Sequence, residues 1–524
     1  MFEGENKREK ILVLLTMCFA LFMAMLDNTV VNVALPTLSA ELNAGVSGLQ
    51  WIVNGYVLAF GSLLLTGGIL GDRYGRKRMF LLGLAVFTLA SLLCGLSQSA
   101  GQLIAFRALQ GVGAALLMPG TLSIITVTFP AQERAKAIGM WAGVSGLALA
   151  LGPTLGGWMI ENVGWESIFF LNVPIGIVGL IVATRVVKES VSSELRHLDL
   201  PGLALGSAGL FSMTFGLIQA NERGWGDPLI VGSMALAAVL FAAFLTWERR
   251  SPHAMLPLHF FRIPSFAAGN AVAFAMSLGM FGIFFFTSLY MQLIRGYSPF
   301  ETGVRFLPMT IMIILVAPNA GRLASKIGSR WPMVFGLTLA ATGLLLLSGV
   351  GPDTSFAVIL PIFMIMGIGM ASTMSPMTAA VMNAVGPQRA GLGSATTNTS
   401  REVGGTFGIA LLGTLLTTKL KSSLTATIGG IGLPAAQEGA IVAAAGHGRL
   451  DPALLQGLGP EQAGAVQAAF GSAFLDGFHL ALLVASAVLY AAAVVAFRFI
   501  PSGAPEREQA PEPELVAAEA AEAL

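Results

Sequence analysis

Residues 68–77 read Gly68-Ile69-Leu70-Gly71-Asp72-Arg73-Tyr74-Gly75-Arg76-Lys77, and residues 321–330 read Gly321-Arg322-Leu323-Ala324-Ser325-Lys326-Ile327-Gly328-Ser329-Arg330. The frame Gly-x-Leu-x-x-(Arg/Lys)-x-Gly therefore recurs after 253 residues, each time at the end of an apolar run. A second pair keeps the same order. Gly111-Val112-Gly113-Ala114 with Met118-Pro119 resembles Gly367-Ile368-Gly369-Met370 with Met374-Ser375-Pro376. A loop follows each, Pro130-Ala131-Gln132-Glu133-Arg134-Ala135 in one case and Pro387-Gln388-Arg389-Ala390 in the other. Matches at similar offsets predict two halves of like build. Parallel halves related about the membrane normal are the architecture of an alternating-access transporter.

Composition sets the medium in which these halves sit. Of 524 residues, 55% are hydrophobic and 11% charged, with a mean hydropathy of +0.77. Soluble domains carry about 25% charged residues, so this chain has too little polar surface to face water and must lie in a bilayer. Gly 63 and Met 23 suit helices that pack closely and line adaptable pockets. A net charge of +1 suggests no nucleic-acid partner. Cys18 and Cys94 fall inside apolar stretches, and neither a zinc spacing nor a disulfide framework exists.

At about 20 residues per span, the apolar runs predict an all-α integral membrane protein with fourteen transmembrane helices. After a cytoplasmic segment 1–10 come an N-terminal six-helix bundle at 11–188 and two inserted helices at 199–248. A C-terminal six-helix bundle follows at 266–499, with an outer loop 418–476, and then a disordered cytoplasmic tail at 500–524. Short interfacial helices are expected in that loop at Glu438–Ala445 and Pro460–Phe470. Of 29 Lys and Arg, 21 fall on the side of the N-terminus and six on the other, with Arg107 and Arg401 inside helices. The positive-inside rule then places both termini in the cytoplasm.

Five motifs, in order, resemble the major facilitator superfamily, specifically its fourteen-helix drug:proton antiporter branch, and the resemblance covers nearly the whole chain. The first helix holds Leu26-Asp27-Asn28-Thr29-Val30-Val31-Asn32-Val33-Ala34-Leu35-Pro36, similar to that branch's own signature. Residues 68–77 match the superfamily's basic loop. Arg107-Ala108-Leu109-Gln110-Gly111-Val112-Gly113 is similar to the Arg-x-x-Gln-Gly-x-Gly of the fourth helix, and Gly152-Pro153-Thr154-Leu155-Gly156-Gly157 to the antiporter motif of the fifth. Phe169-Phe170-Leu171-Asn172-Val173-Pro174 resembles the start of the sixth helix. One departure is Ala148, where the antiporter motif often has glycine. The resemblance implies export of lipophilic, often cationic, compounds across the cytoplasmic membrane against a proton gradient, by a protein that functions as a monomer without a cofactor. A narrow exporter of one lipid, antibiotic or metabolite fits the same motifs. A non-transporting membrane receptor or assembly protein fits less well, because the basic-loop and antiporter motifs are intact. No Walker motif and no hydrolytic or redox constellation stands out, so neither an ATP-driven pump nor an enzyme is expected.

Asp27 lies in mid-helix, where a carboxylate left in lipid is costly. It is expected to face a cavity, to be protonated part of the time, and to bind a proton or a cation in turn. The alternative is a packing acid bonded to Arg107. Arg107, always a donor, is expected to couple the proton site to helix movement. Asp72 is placed to accept from backbone N–H groups at another helix's N-terminus. The resemblance makes Gly68, Asp72, Arg73, Gly75 and Arg76 a latch between the halves, and Gly152, Pro153, Gly156 and Gly157 a flexible close contact that favours exchange. Arg401 and Glu402 lie roughly 17 Å into their helix and form either a lock or a binding pair. Asn28, Asn32, Asn54, Tyr56, Gln110, Phe285, Gln292 and Asn398 complete the expected substrate contacts. No metal site is expected.

Overall fold

The structure, a computed structural model, describes residues 7–42, 46–191, 199–251, 254, 256, 258–386, 389–445, 452–455 and 458–503. Every long element among them is a helix. The first group is α1 (Lys7–Glu41), α2 (Val46–Tyr74), α3 (Arg76–Gly95), α4 (Ala100–Thr128), α5 (Ala131–Asn162), α6 (Ser167–Phe170) and α7 (Asn172–Val186). Then come α8 (Leu200–Arg223) and α9 (Pro228–Arg250). The last group is α10 (Pro264–Leu289), α11 (Pro299–Ile327), α12 (Arg330–Leu347), α13 (Phe356–Val385), α14 (Ala390–Ile428), α15 (Ala435–Ala445) and α16 (Pro460–Phe499).

Local chemistry sets many of these boundaries. Asp199 and Asp227 cap α8 and α9 by accepting from Gly202 N and Leu229 N at 2.9 and 2.8 Å. Ser298 and Glu301 form a reciprocal capping box at the start of α11. Proline occupies the first turn of α8, α9, α10, α11 and α16, where a missing N–H costs nothing. The two copies of the repeated frame end alike, on Gly75 and Gly328 with φ of 113° and 87°, a region that disfavours any side chain.

Among the described residues, twelve helices are long and apolar enough to cross a membrane, with α6 and α7 together making one. α5 and α10, each with side chains outside the described set, are the two expected spans not among the twelve. One core joins residues of α10–α16, and two others draw almost wholly on α1–α7. The outward surface is a belt of exposed Leu, Val, Ile and Phe, including Leu12, Leu15 and Phe19 on one stripe of α1. α9 is only 17% buried over its apolar window, so it has the most lipid-facing character.

α8 fills the seam between α2 and α14. Thr66 and Ser207 hydroxyls meet at 2.9 Å, and the Trp51 and Phe215 rings lie 6.2 Å apart. On the other side Trp225 donates to Thr414 Oγ1 at 2.6 Å. Leu203 and Leu210 share a core with Leu65 and Ile69 of α2 and with Leu392 and Ala395 of α14.

The expected outer loop 418–476 is mostly helix. α14 runs on to Ile428, α16 begins at Pro460, and α15 covers the expected Glu438–Ala445. The Pro460–Phe470 stretch is the first part of α16 instead of a separate interfacial helix. The reason is a spacing of three and four: Leu416, Leu420, Leu424 and Ile428 form a buried stripe in the same core as Val466, Phe470 and Phe474. Ser423 also donates to Asp476 at 2.7 Å. At the C-terminus, Gly503 N donates to Ile327 O at 3.3 Å, so the chain is still packed three residues past the expected start of the tail. The rest of that tail, from 504, lies outside the described residues, as do residues 1–6.

α10 and α14 touch backbone to backbone. A Cβ on Gly404 would lie 2.3 Å from Phe274 O, and one on Gly408 would lie 2.3 Å from Leu278 O. Gly404→Ala and Gly408→Ala are each expected to destabilise the protein by about 1–3 kcal/mol through overpacking. Gly61→Ala, where the added carbon meets open space, should leave stability unchanged or slightly raised. Thermal unfolding of the purified protein checks this, and equal melting of all three variants would contradict it.

Candidate functional site

Asp27 is 3% exposed and Arg107 is 0% exposed, on α1 and α4 respectively. Arg107 Nη1 donates to Asp27 Oδ2 at 2.5 Å. Asp27 Oδ1 accepts from Gln110 Nε2 and from Asn172 Nδ2, both at 2.8 Å. Gln110 Nε2 also donates to Ser91 Oγ at 2.7 Å, and Gln110 Oε1 accepts from Arg107 Nη1 at 2.6 Å. The guanidinium lies 4.4 Å from the Tyr56 ring centroid and donates through Nε to Ile52 O at 3.3 Å. Arg107 Nη2 is buried with no partner among the described residues. Five helices, α1, α2, α3, α4 and α7, thus converge on one charge pair.

Asp27 is thus bonded to Arg107, the alternative weighed above, and is not turned toward a cavity. It is sealed inside the first bundle, with a full counter-charge and two amide donors. A buried pair of this kind needs such extra hydrogen bonds to offset its desolvation. Tyr56 and Gln110 are likewise wall and floor of this network, 1% and 0% exposed, and not the cavity-lining residues expected. Asn172 and Ser91 were not among the expected site residues. The available signal was a lone amide in the apolar run of 167–186.

A second constellation joins the two halves at the end carrying the repeated basic loops. Asp72, fully buried, accepts from Gly391 N and Leu392 N at the start of α14, both at 2.9 Å. Arg76 holds the same carboxylate through Nε at 2.8 Å and Nη2 at 2.7 Å. Helix N-termini favour a negative charge, so Asp72 binds both its own loop and the opposite half. Gly68 explains how the chains come so close: a Cβ there would lie 2.5 Å from Gly391 O. Gly321, its counterpart in the repeat, lies against Ala135, with 2.2 Å from a built Cβ to the carbonyl oxygen. Ser375 donates to Ala135 O and Ser394 to Pro119 O, at 2.8 and 2.9 Å, and Arg134 donates to Asn383 at 2.5 Å. Arg73 lies over the Tyr74 ring, 5.1 Å from its centroid, and does not join the latch by any of these bonds.

α5 links the two constellations. Cβ atoms on Gly152 and Gly156 would strike Thr29 and Val30 of α1, and one on Gly139 would strike Ala317 of α11. The same helix therefore packs against the Asp27 helix and, further along, against the opposite half. Gly157 is half-buried, and the side chains of Pro153, Asn32 and Phe285 lie outside the described residues.

The other expected contacts are scattered. Asn28 and Asn54 are half-buried. Gln292 donates to Ser288 Oγ at 3.0 Å on its own helical stretch. Asn398 is buried and donates to Ser394 Oγ at 3.4 Å. The side chains of Arg401 and Glu402 are half-buried and make no hydrogen bond or ion pair among the described residues, so they do not form the lock considered above. Among the described residues no cluster of His, Cys, Asp or Glu could hold a metal ion.

A family model described as Major Facilitator Superfamily matches residues 17–409. The chain belongs to the major facilitator superfamily. The tetracenomycin C resistance and export protein of Streptomyces glaucescens is 35% identical over 504 residues, covering 95% of this chain and 93% of that one. The multidrug resistance protein Stp of Mycobacterium tuberculosis is 35% identical over 418 residues, 80% of this chain and 78% of its own. The fold of the proton:xylose symporter XylE matches with a TM-score of 0.62 at 12% identity, over 95% of this chain and 97% of that one. This superfamily member is a multi-pass membrane transporter of the drug-efflux type, with relatives named for antibiotic resistance and export.

Proposed function

We propose that this transporter is a proton-coupled antiporter that exports lipophilic, often cationic, compounds across the cytoplasmic membrane by alternating access. It has fourteen spans: six-helix bundles at 11–188 and 266–499, with the pair at 199–248 inserted between them. Both termini are cytoplasmic, so the latch around Asp72 closes the cytoplasmic side. It needs no cofactor beyond the proton gradient, works as a monomer in the lipid bilayer, and does not bind nucleic acid.

The observation that carries the reading is the Asp27–Arg107 pair. A proton taken by Asp27 cancels the charge that holds Arg107, and Arg107 cannot give up its own. The pair is then an unbalanced buried cation, costly enough to drive a rearrangement. The glycine contacts of α5 carry that movement from α1 to the seam between the halves. Substrate and proton are coupled because each conformation tolerates only one charge state of the pair.

A narrow exporter is the second reading, favoured by the relative named for a single compound, tetracenomycin C. Efflux from proteoliposomes under an imposed pH gradient, run over a panel of dyes and antibiotics, tests both. Gradient-dependent movement of several unrelated compounds is the expected result, and movement of one compound alone selects the narrow reading. No gradient dependence for any compound would overturn proton coupling.

A further inference from the structure

Arg401 and Glu402 are twelfth and thirteenth in α14, well inside a spanning segment. Successive residues on a helix point about 100° apart, which is why these two neighbours form no ion pair. They do not face lipid. Gly391, Ala395, Asn398 and Glu402 fall on one stripe, and the first two of these touch Asp72 and Gly68 of the opposite half. Arg401 shares a face with Ser394, which bonds to Pro119 of α4. Gly404 and Gly408, three and seven residues after Arg401 and so on its own side of α14, are packed on α10. Glu402 thus lies half-buried on the face that meets the opposite half, and Arg401 lies half-buried between that face and the edge packed on α10.

Asp27 offers nothing to a substrate in this conformation, since both its oxygens are already bonded. Two unpaired charges within a spanning helix favour a ligand that satisfies both and penalise one that leaves either unmet.

We infer that Arg401 and Glu402 form a substrate site of two signs, selective for lipophilic zwitterions over plain cations. This rests on reading the space between the halves as the transport chamber of an exporter. A monocation seated against Glu402 is also repelled by Arg401, whereas a molecule carrying an ammonium or iminium centre and a carboxylate or similar oxygen anion meets both groups at once.

The test uses two dyes of one skeleton. Rhodamine B pairs a xanthylium cation with a carboxylate, and its ethyl ester keeps only the cation. Binding to the purified full chain in detergent, without a gradient, is read by fluorescence anisotropy. Wild type is expected to bind rhodamine B at least about tenfold tighter than the ester, the equivalent of one charge-assisted hydrogen bond. Arg401→Gln should remove that preference, Arg401→Lys should retain part of it, and Glu402→Gln should weaken both dyes. Equal or tighter binding of the ester by wild type, a comparison that needs no variant to fold, would overturn the inference. So would a preference that survives Arg401→Gln. A chain that shows the preference yet moves nothing in proteoliposomes would sink the exporter reading and leave the site standing. A chain that exports both dyes but binds them alike would do the reverse.

Discussion

Asp27→Asn is expected to reduce gradient-driven export to background and, at the same time, to lower the melting temperature. The two effects have separate causes. Export is lost because the asparagine takes no proton, so the pair has one charge state only. Stability is lost because Arg107 is then a buried cation without its counter-ion, and removing one partner of such a pair costs about 3–5 kcal/mol. Gln110 Oε1 and Ile52 O remain as acceptors, but neither carries charge. The double variant Asp27→Asn with Arg107→Gln should therefore melt closer to wild type than Asp27→Asn alone, and still not export. Thermal unfolding and a proteoliposome efflux assay on the three proteins separate these outcomes. Wild-type export by Asp27→Asn would remove this carboxylate from the coupling. A double variant no more stable than the single one would show that the charge pair is not the element at risk.

Gly68→Val and Gly321→Val should each open the end of the molecule that the repeated loops close. A side chain at 68 would be driven into Gly391 O and Ala395, and one at 321 into Ala135 O. These are contacts between halves, and the proposed alternating access would break them in the other conformation. The strain therefore falls on the closed form alone. Overpacking costs about 1–3 kcal/mol, which shifts a two-state equilibrium by roughly 5- to 150-fold. Spin labels at the exposed positions Leu82 and Leu323, one on each half, should report longer distances in both variants, together with slower export. An unchanged distance distribution would mean that this seam does not separate during transport.

Much of this was legible in the order of residues, because hydropathy and glycine placement are local properties. An apolar run of about 20 residues must cross a bilayer wherever its neighbours are. A glycine that begins and a glycine that ends each copy of the basic frame proved to do the same two tasks in both halves: Gly68 and Gly321 allow backbones to meet, and Gly75 and Gly328 turn the chain at positive φ. The spacing of Asp27, Asp72 and Arg107 relative to the spans also singled them out before any contact was known.

Partners were another matter. Asp27 meets Arg107, Gln110 and Asn172 across 80, 83 and 145 residues, and nothing local distinguishes a sealed carboxylate from one that faces a cavity. That depends on the rotation of five helices about their axes, which packing alone sets. The same holds for Arg401 and Glu402, adjacent in sequence and read as either a lock or a binding pair, yet turned apart by the pitch of the helix they share. α14 and α16 grew beyond their apolar cores because each covers the other's stripe of Leu, Val and Phe, a gain that exists only once the two helices lie side by side. The sequence by itself thus determined that this protein is an all-helical, multi-pass membrane protein and where its glycines and charges fall along the chain. The tertiary structure alone decided which charges neutralise one another and which stay unpaired, because in a medium without water a charge takes its meaning from whatever is packed within a few ångströms of it.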